Sequence, residues 1–169
     1  MAKLEGERVV IAFGCNLGNC QKQIAAALEE CSKKINIIKV SKIHISKPYG
    51  VKNQPSFHNG VFIGFTKLPP LELLKFLKNV ERKVGRKPRC RWCAREIDLD
   101  IVYYGNLKLR LKELVIPHPD RLNREFVLKP LVEIEPYFLD PEVGKPVNQL
   151  LRFLKVKGTF GGGRKIFQI

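Results

Sequence analysis

Two aspartates, Asp98 and Asp100, stand two positions apart inside the run Arg95-Glu96-Ile97-Asp98-Leu99-Asp100-Ile101-Val102-Tyr103-Tyr104. Side chains at i and i+2 of a β-strand share a face about 6.6 Å apart along the chain, so both carboxylates point one way while Ile97, Leu99 and Ile101 turn towards a core. Like charges so placed raise each other's pKa unless cations sit beside them. Immediately upstream, between Arg82 and Arg95, come seven Lys or Arg residues (82, 83, 86, 87, 89, 91 and 95) and no acid. A polyphosphate carried on magnesium needs both signs close together. Carboxylate oxygens hold the hard cation, and Arg or Lys neutralises the phosphate oxygens that the cation does not reach. The competing structural account makes Asp98 and Asp100 salt-bridge partners of a solvated basic loop.

Other candidates lie further along. His118 sits in Ile116-Pro117-His118-Pro119-Asp120 with Arg121 and Arg124 beside it, a stiff turn suited to a phosphate ligand. Tyr49, Phe57 and Phe126 can form a slot for a flat ring or belong to the core. GCNLGN, after the first apolar run, is turn-rich but has neither the GxxxxGK nor the GxGxxG spacing of phosphate loops. Cys90 and Cys93 form a CxxC that precedes a strand, not a helix, which argues against a thioredoxin-like role. With Cys15 and Cys20 it offers four thiols to zinc, at a spacing looser than a usual knuckle.

These residues need a scaffold, and 169 residues at 44% hydrophobic content suffice for one globular domain with its own core. The expected domain spans 1–169, with its core at about 9–155 and a mobile Gly-rich tail at 156–169. The apolar runs are too short for a membrane span or a signal peptide, so a cytoplasmic protein is expected. Five cysteines in such a chain are read as free thiols. A formal net charge of +15 points to an anionic partner without choosing among nucleotide, nucleic acid and membrane surface.

Val9 to Phe13 reads as a strand, and Gln21 to Lys34 as a helix with Ile24, Leu28, Cys31 and Ile35 on one stripe and Asn19 as cap. Ile37 to Ser46 is β-branched with a phase change near Ser41, which suggests a bulge, and Lys47 to Asn59 reads as a loop. Gly60 to Phe65 is a further strand. Pro69-Pro70 opens a helix striped by Leu73, Leu77, Val80 and Val84 and stopped by Gly85. With the aspartate strand the order is βαββαβ: an α+β, ferredoxin-like antiparallel sheet with helices on one face. Asn123 to Ile134, interrupted at Pro130, and Pro146 to Leu154 add C-terminal helical segments.

The run RCRWCAREIDLDIVYYG followed by IPHPDRLNREFVLKPLVEI resembles the signatures of the 6-hydroxymethyl-7,8-dihydropterin pyrophosphokinase family, and GCNLGN and SKPYGVKNQPSFHNGV are similar to family segments in order and spacing. The resemblance covers Val9 to about Leu151. It implies a ferredoxin-like fold and transfer of diphosphate from ATP to the hydroxymethyl group of a reduced pterin, with release of AMP, in folate biosynthesis. It also implies two magnesium ions bridged by Asp98 and Asp100, and catalytic roles for Arg86, Arg91 and Arg95. Glu81, Arg86, Arg91, Trp92, Arg95, Ile101, His118 and Arg124 would then meet ATP. Ser46, Tyr49, Phe57, Asn59, Trp92 and Phe126 would meet the pterin, the two phenylalanines sandwiching it and Asn59 reading its polar edge. The chain departs from the family pattern at Cys15 (usually Ser), Lys47 (commonly Pro), Cys93 (usually Gly) and Glu113 (usually basic), and its basic loop is about one residue shorter.

On this reading the partners are small molecules, with no nucleic acid and no membrane, and the protein is a monomer. Two rivals from other classes are an RNA-binding module, since RRM domains share the βαββαβ order, and a zinc-dependent scaffold. GVFIGF lacks the basic opening of an RNP1 motif, and two sheet aspartates would repel an RNA backbone.

Overall fold

The computed structural model describes residues 5–47, 55–90 and 93–160, with side chains up to Lys155. The strands are β1 (Glu7–Cys15), β2 (Ile35–Val40), β3 (His44–Ser46), β4 (Phe57–Thr66) and β5 (Asp98–Tyr104). They form one antiparallel sheet in the order β2-β4-β1-β5, with β3 also paired to β4. Helices α1 (Cys20–Cys31) and α2 (Pro70–Val84) connect strands, and α3 (Glu125–Ile134) and α4 (Val147–Phe160) follow. A small hairpin, β6 (Leu109–Arg110) with β7 (Val115–Ile116), and a 3-10 turn at Arg121–Asn123 lie between β5 and α3. No helix among the described residues is long and apolar enough to cross a membrane.

The observed order is βαβββαβ: the single strand expected over 37–46 is divided into β2 and β3, and the other elements follow the expected order, with local causes that match the sequence. Asn19 caps α1 by accepting the Lys22 N–H (3.2 Å), and Gly85 ends α2 at φ 120°, which a side chain would oppose. The bulge expected near Ser41 lies earlier, between Ile37 and Lys39 of β2, and the chain then leaves the sheet briefly before β3. β4 begins at Phe57, so the end of the expected loop is strand.

Helices cover both faces of the sheet, not one. Val9, Ile11, Phe13, Phe62, Leu99 and Ile101 pack with Ile24, Leu73, Leu77 and Val80 of α1 and α2. On the opposite face Val10, Ala12, Val61, Ile63 and Val102 pack with Val127, Leu128, Leu131, Val147 and Leu150 of α3 and α4. Pro130 does not interrupt α3. It gives up a bond to the Phe126 carbonyl, but Val127, Leu128, Pro130 and Leu131 are all buried, and that burial holds the turn. α4 runs on to Phe160, past the expected start of the tail; 161–169 lie outside the described residues.

With both faces covered, no open sheet face remains among the described residues for bases to stack on, as an RRM requires. The free-thiol reading also changes: Cys15 is joined to Cys20 and Cys90 to Cys93, each pair only a short turn apart, with Cα separations of 5.6 and 5.2 Å. The thiols that the zinc reading needs are spent in those pairs. Cys31 is free, and its burial pushes the thiol up to about 12, so it is inert at neutral pH.

Candidate active site

Strand register builds the floor of one cavity. Ala12 and Gly14 of β1 lie at positions on the α3 face, the first with only a methyl group and the second with no side chain. Across the sheet Gly14 pairs with Asn59 of β4 on one flank and Asp98 of β5 on the other, while Ala12 pairs with Val61 and Asp100. A row of near-absent side chains thus separates an amide from two carboxylates. A Cβ at Gly14 would come within 2.8 Å of Asn59 Oδ1, so this glycine lets the amide lie over the strand. Phe57, Phe126, Arg95 and Arg124 complete the walls around about 550 Å³ of open space. Asp98 and Asp100 share that face as their spacing predicts, while Leu99 is buried on the other.

Arginines rest on the aspartates. Arg86 Nη1 lies 3.1 Å and Arg95 Nη1 3.5 Å from Asp98 Oδ1, and Arg124 Nη1 lies 3.9 Å from Asp100 Oδ2. The ion pairs of the structural alternative are therefore present. Compensation is uneven. The Asp100 side chain keeps 38% of its surface accessible through the cleft, yet the protein mass around it, and next the Asp98 charge, push its carboxyl up to about 7. Two hard carboxylates aimed into one cavity, one of them short of positive charge, fit magnesium, which commonly takes one or two protein carboxylates and completes its shell with phosphate and water. Among the described residues no group of three or more His, Cys, Asp or Glu could hold a metal alone.

The basic loop is tied down at both ends. Glu81 of α2 is 5% exposed; its Oε2 accepts the Leu99 N–H (2.7 Å) and its Oε1 meets Arg86 Nη1 (2.8 Å). Burial raises its pKa, against the Leu99 and Arg86 contacts that lower it. Its carboxylate is directed at β5 and Arg86, away from the cavity. At the far end Arg95 N–H donates to Asn16 Oδ1 (2.8 Å) and Asn16 N–H to the Arg95 carbonyl (3.0 Å). Gln23 Nε2 donates to the Glu96 carbonyl (2.6 Å). GCNLGN thus anchors the loop through Asn16, a role that its turn chemistry signals only as polarity.

His118 follows a cis Ile116–Pro117 peptide and is locked on two sides. Its N–H donates to the Val102 carbonyl (2.9 Å), and its Nδ1 accepts the Asp120 N–H (3.1 Å). That assigns the ring proton to Nε2. Burial, and next the Arg124 charge, lower its pKa to about 4, so the ring is a neutral donor at physiological pH. Arg124, the N-cap residue of α3, lies 5.5 Å over the Phe126 ring.

Of the residues expected at the site, Phe57, Asn59, Arg95, Asp98, Asp100, Arg124 and Phe126 meet around the cavity, with Arg86 and His118 at its margin. Ser46 lies on β3 opposite Phe57, its buried hydroxyl without a hydrogen-bond partner among the described residues. Ile101 is 3% exposed in the α1/α2 core, so its side chain does not face the cavity. Tyr49, Arg91 and Trp92 lie outside the described residues. Glu113 sits exposed in the β6–β7 turn.

A family model described as 7,8-dihydro-6-hydroxymethylpterin-pyrophosphokinase (HPPK) matches residues 10–136. The 2-amino-4-hydroxy-6-hydroxymethyldihydropteridine pyrophosphokinase of Aquifex aeolicus is 40% identical over 141 residues, 83% of this chain and 88% of that protein. Its namesake in Pseudomonas aeruginosa is 38% identical over 154 residues, 90% and 94% of the two chains. Among solved structures, wild-type Plasmodium falciparum HPPK-DHPS superimposes with a TM-score of 0.75 at 14% identity, over 100% of this chain and 47% of that one. At that identity the likeness shows the fold alone, and this chain spans about half the length of that longer protein.

Proposed function

This chain belongs to the 7,8-dihydro-6-hydroxymethylpterin-pyrophosphokinase family, and from that premise we propose that its cleft is where diphosphate passes from magnesium-bound ATP to the hydroxymethyl oxygen of the pterin. The activity follows from the membership: the chain is a pyrophosphokinase of folate biosynthesis that uses ATP and 6-hydroxymethyl-7,8-dihydropterin and forms AMP and the pterin diphosphate. The observation that carries the assignment of the site is the single cavity into which Asp98, Asp100, Arg95, Arg124, Asn59, Phe57 and Phe126 converge.

Phosphoryl transfer asks a protein chiefly to hold two substrates in line and to offset developing charge. Asp98 and Asp100 would hold two magnesium ions, which when bound supply Lewis-acid neutralisation of phosphate oxygens. Arg86, Arg95 and Arg124 would leave the aspartates for the triphosphate, where Arg91 would join them, His118 would donate from its neutral Nε2–H, and Trp92 would close the nucleotide side. Phe57 and Phe126 would clasp the pterin ring, Asn59 would pair with its polar edge, and Ser46 and Tyr49 would finish that pocket. The unpartnered Ser46 hydroxyl supports a polar role there. Glu81 would act by holding Arg86, at the carboxylate contact already made. One domain carries both subsites, and small water-borne substrates are in keeping with a cytoplasmic monomer that needs neither nucleic acid nor membrane.

The direct test is incubation with ATP, magnesium and 6-hydroxymethyl-7,8-dihydropterin, read by phosphorus NMR. AMP and a pterin diphosphate are expected, and formation of ADP or free phosphate instead would refute the transfer. Phe126→Ala is expected to raise the KM for pterin about ten-fold with little change in that for ATP. An unchanged pterin KM would take Phe126 out of the ring slot. Binding of magnesium with a non-hydrolysable ATP analogue is also expected to depend on pH. A carboxyl raised to about 7 must lose its proton before it can hold a cation. Affinity, corrected for ionisation of the nucleotide, therefore strengthens about ten-fold from pH 6 to pH 8. A flat titration by calorimetry over that range would mean Asp100 is already ionised in the empty protein.

A further inference from the structure

Behind the nucleotide side of the cleft lies a charged cluster that the transfer chemistry does not use. Arg121 is 2% exposed, Asp140 0% and Tyr103 0%. Asp140 Oδ2 accepts Arg121 Nε (2.6 Å) and the Tyr103 hydroxyl (2.6 Å). Its Oδ1 accepts Arg121 Nη2 (3.1 Å) and the N–H groups of Glu142 and Val143 (both 2.9 Å). The guanidinium has more to give: Nη1 donates to the His118 carbonyl (3.0 Å), which also takes the Arg121 N–H (3.2 Å).

We propose that the Arg121–Asp140 pair is a positioning device for ATP binding, which sets His118 and Arg124 against the triphosphate by clamping the turn between them to β5. Tyr103 places one end of the clamp on the strand that carries Asp100. The His118 carbonyl is the other end, and Arg124 begins α3 three residues after Arg121. A small space lined by Asp100, His118, Arg121 and Arg124 puts the guanidinium directly behind the groups that face the substrate. Arg121 meets no substrate itself, so its influence passes through main-chain position. Geometry decides against a purely stabilising role. A buried ion pair can often be exchanged for apolar residues of equal volume with no loss of stability. What such an exchange cannot reproduce is a planar fork that reaches a carboxylate and a carbonyl at once.

The inference rests on the reading that His118 and Arg124 bind the triphosphate, and the test separates the two. Binding of magnesium and a non-hydrolysable ATP analogue is measured by calorimetry for Arg121→Lys, the double variant Arg121→Met/Asp140→Leu, and His118→Ala. Pterin binding is followed by fluorescence. Arg121→Lys keeps the charge but loses the fork. The double variant restores packing without charge; it leaves the Tyr103 hydroxyl and the Glu142 and Val143 N–H groups without their acceptor, so its Tm is expected to fall below the parent's, and binding is compared at a temperature where both are folded. Both are expected to weaken the analogue about ten-fold while pterin affinity stays within two-fold. The His118 ring nitrogen signals are expected to shift in both. A double variant that binds the analogue as the parent does would overturn the proposal. If His118→Ala also binds it normally, the underlying reading of the site fails instead.

Discussion

Asp98→Ala is expected to lower kcat about a thousand-fold or more while the protein stays folded. The Asp98 carboxylate touches Arg86 and Arg95, and at 32% accessibility those ion pairs contribute little to stability. Its removal also lifts a like charge from Asp100, whose carboxyl then falls back towards the ordinary range. Thermal unfolding should therefore stay close to that of the parent, even as two arginines lose the anion on which they rest. Circular dichroism and steady-state kinetics with magnesium together check this. Turnover near the parent's would remove Asp98 from the role of cation ligand, whatever the neighbouring arginines do.

The largest loss of stability is expected elsewhere, from Asp140→Ala. It strands the Tyr103 hydroxyl and takes from the Arg121 guanidinium its buried carboxylate, leaving it the half-exposed Glu142 carboxylate and the His118 carbonyl, and breaking a buried pair from one side costs about 3–5 kcal/mol. For a chain of this size that lowers Tm by about 10 °C. The effect has a definite pH sign. Burial raises the Asp140 carboxyl, but the bonds from Arg121, Tyr103 and Val143 outweigh it and hold the pKa below the ordinary Asp range. A depressed acid stabilises the fold above its unfolded pKa of about 3.9, and that stability is lost as pH falls through the folded value. The gap in Tm between parent and variant is thus widest near neutrality and closes below about pH 4. Calorimetric scans from pH 3 to pH 7 test it, and a constant gap would mean that the lost packing, not the lost charge, sets the cost.

Much of this was legible in the sequence because it is local. The i, i+2 spacing of Asp98 and Asp100 among aliphatic residues announces their shared face, and Asn19, the Leu73 stripe and Gly85 announce their helices. The floor of Ala12 and Gly14 obeys the same period-two logic, but small residues carry no hydrophobic signal, so the space they leave stays unseen until β4 and β5 are laid beside them. Pro130 misleads because a local rule about helix interiors is overridden by burial of the face on which it lies. The hairpin of β6 and β7 is too short for periodicity to register. The pairing of Arg121 with Asp140 joins residues 19 apart through a turn and a loop, a distance over which spacing says nothing.

The order of the layers also bears on how the chain is made. β1 lies at the centre of the sheet and is synthesised early, whereas α3 and α4, which cover Val10, Ala12, Val61, Ile63 and Val102, come last. While the ribosome is still reading the stretch before Glu125, one side of a nearly finished sheet is bare and sticky, the condition in which nascent chains attract chaperones or one another. The same delay withholds Phe126, so a growing chain has no complete pocket for its acceptor until the residues that mask its apolar side have emerged.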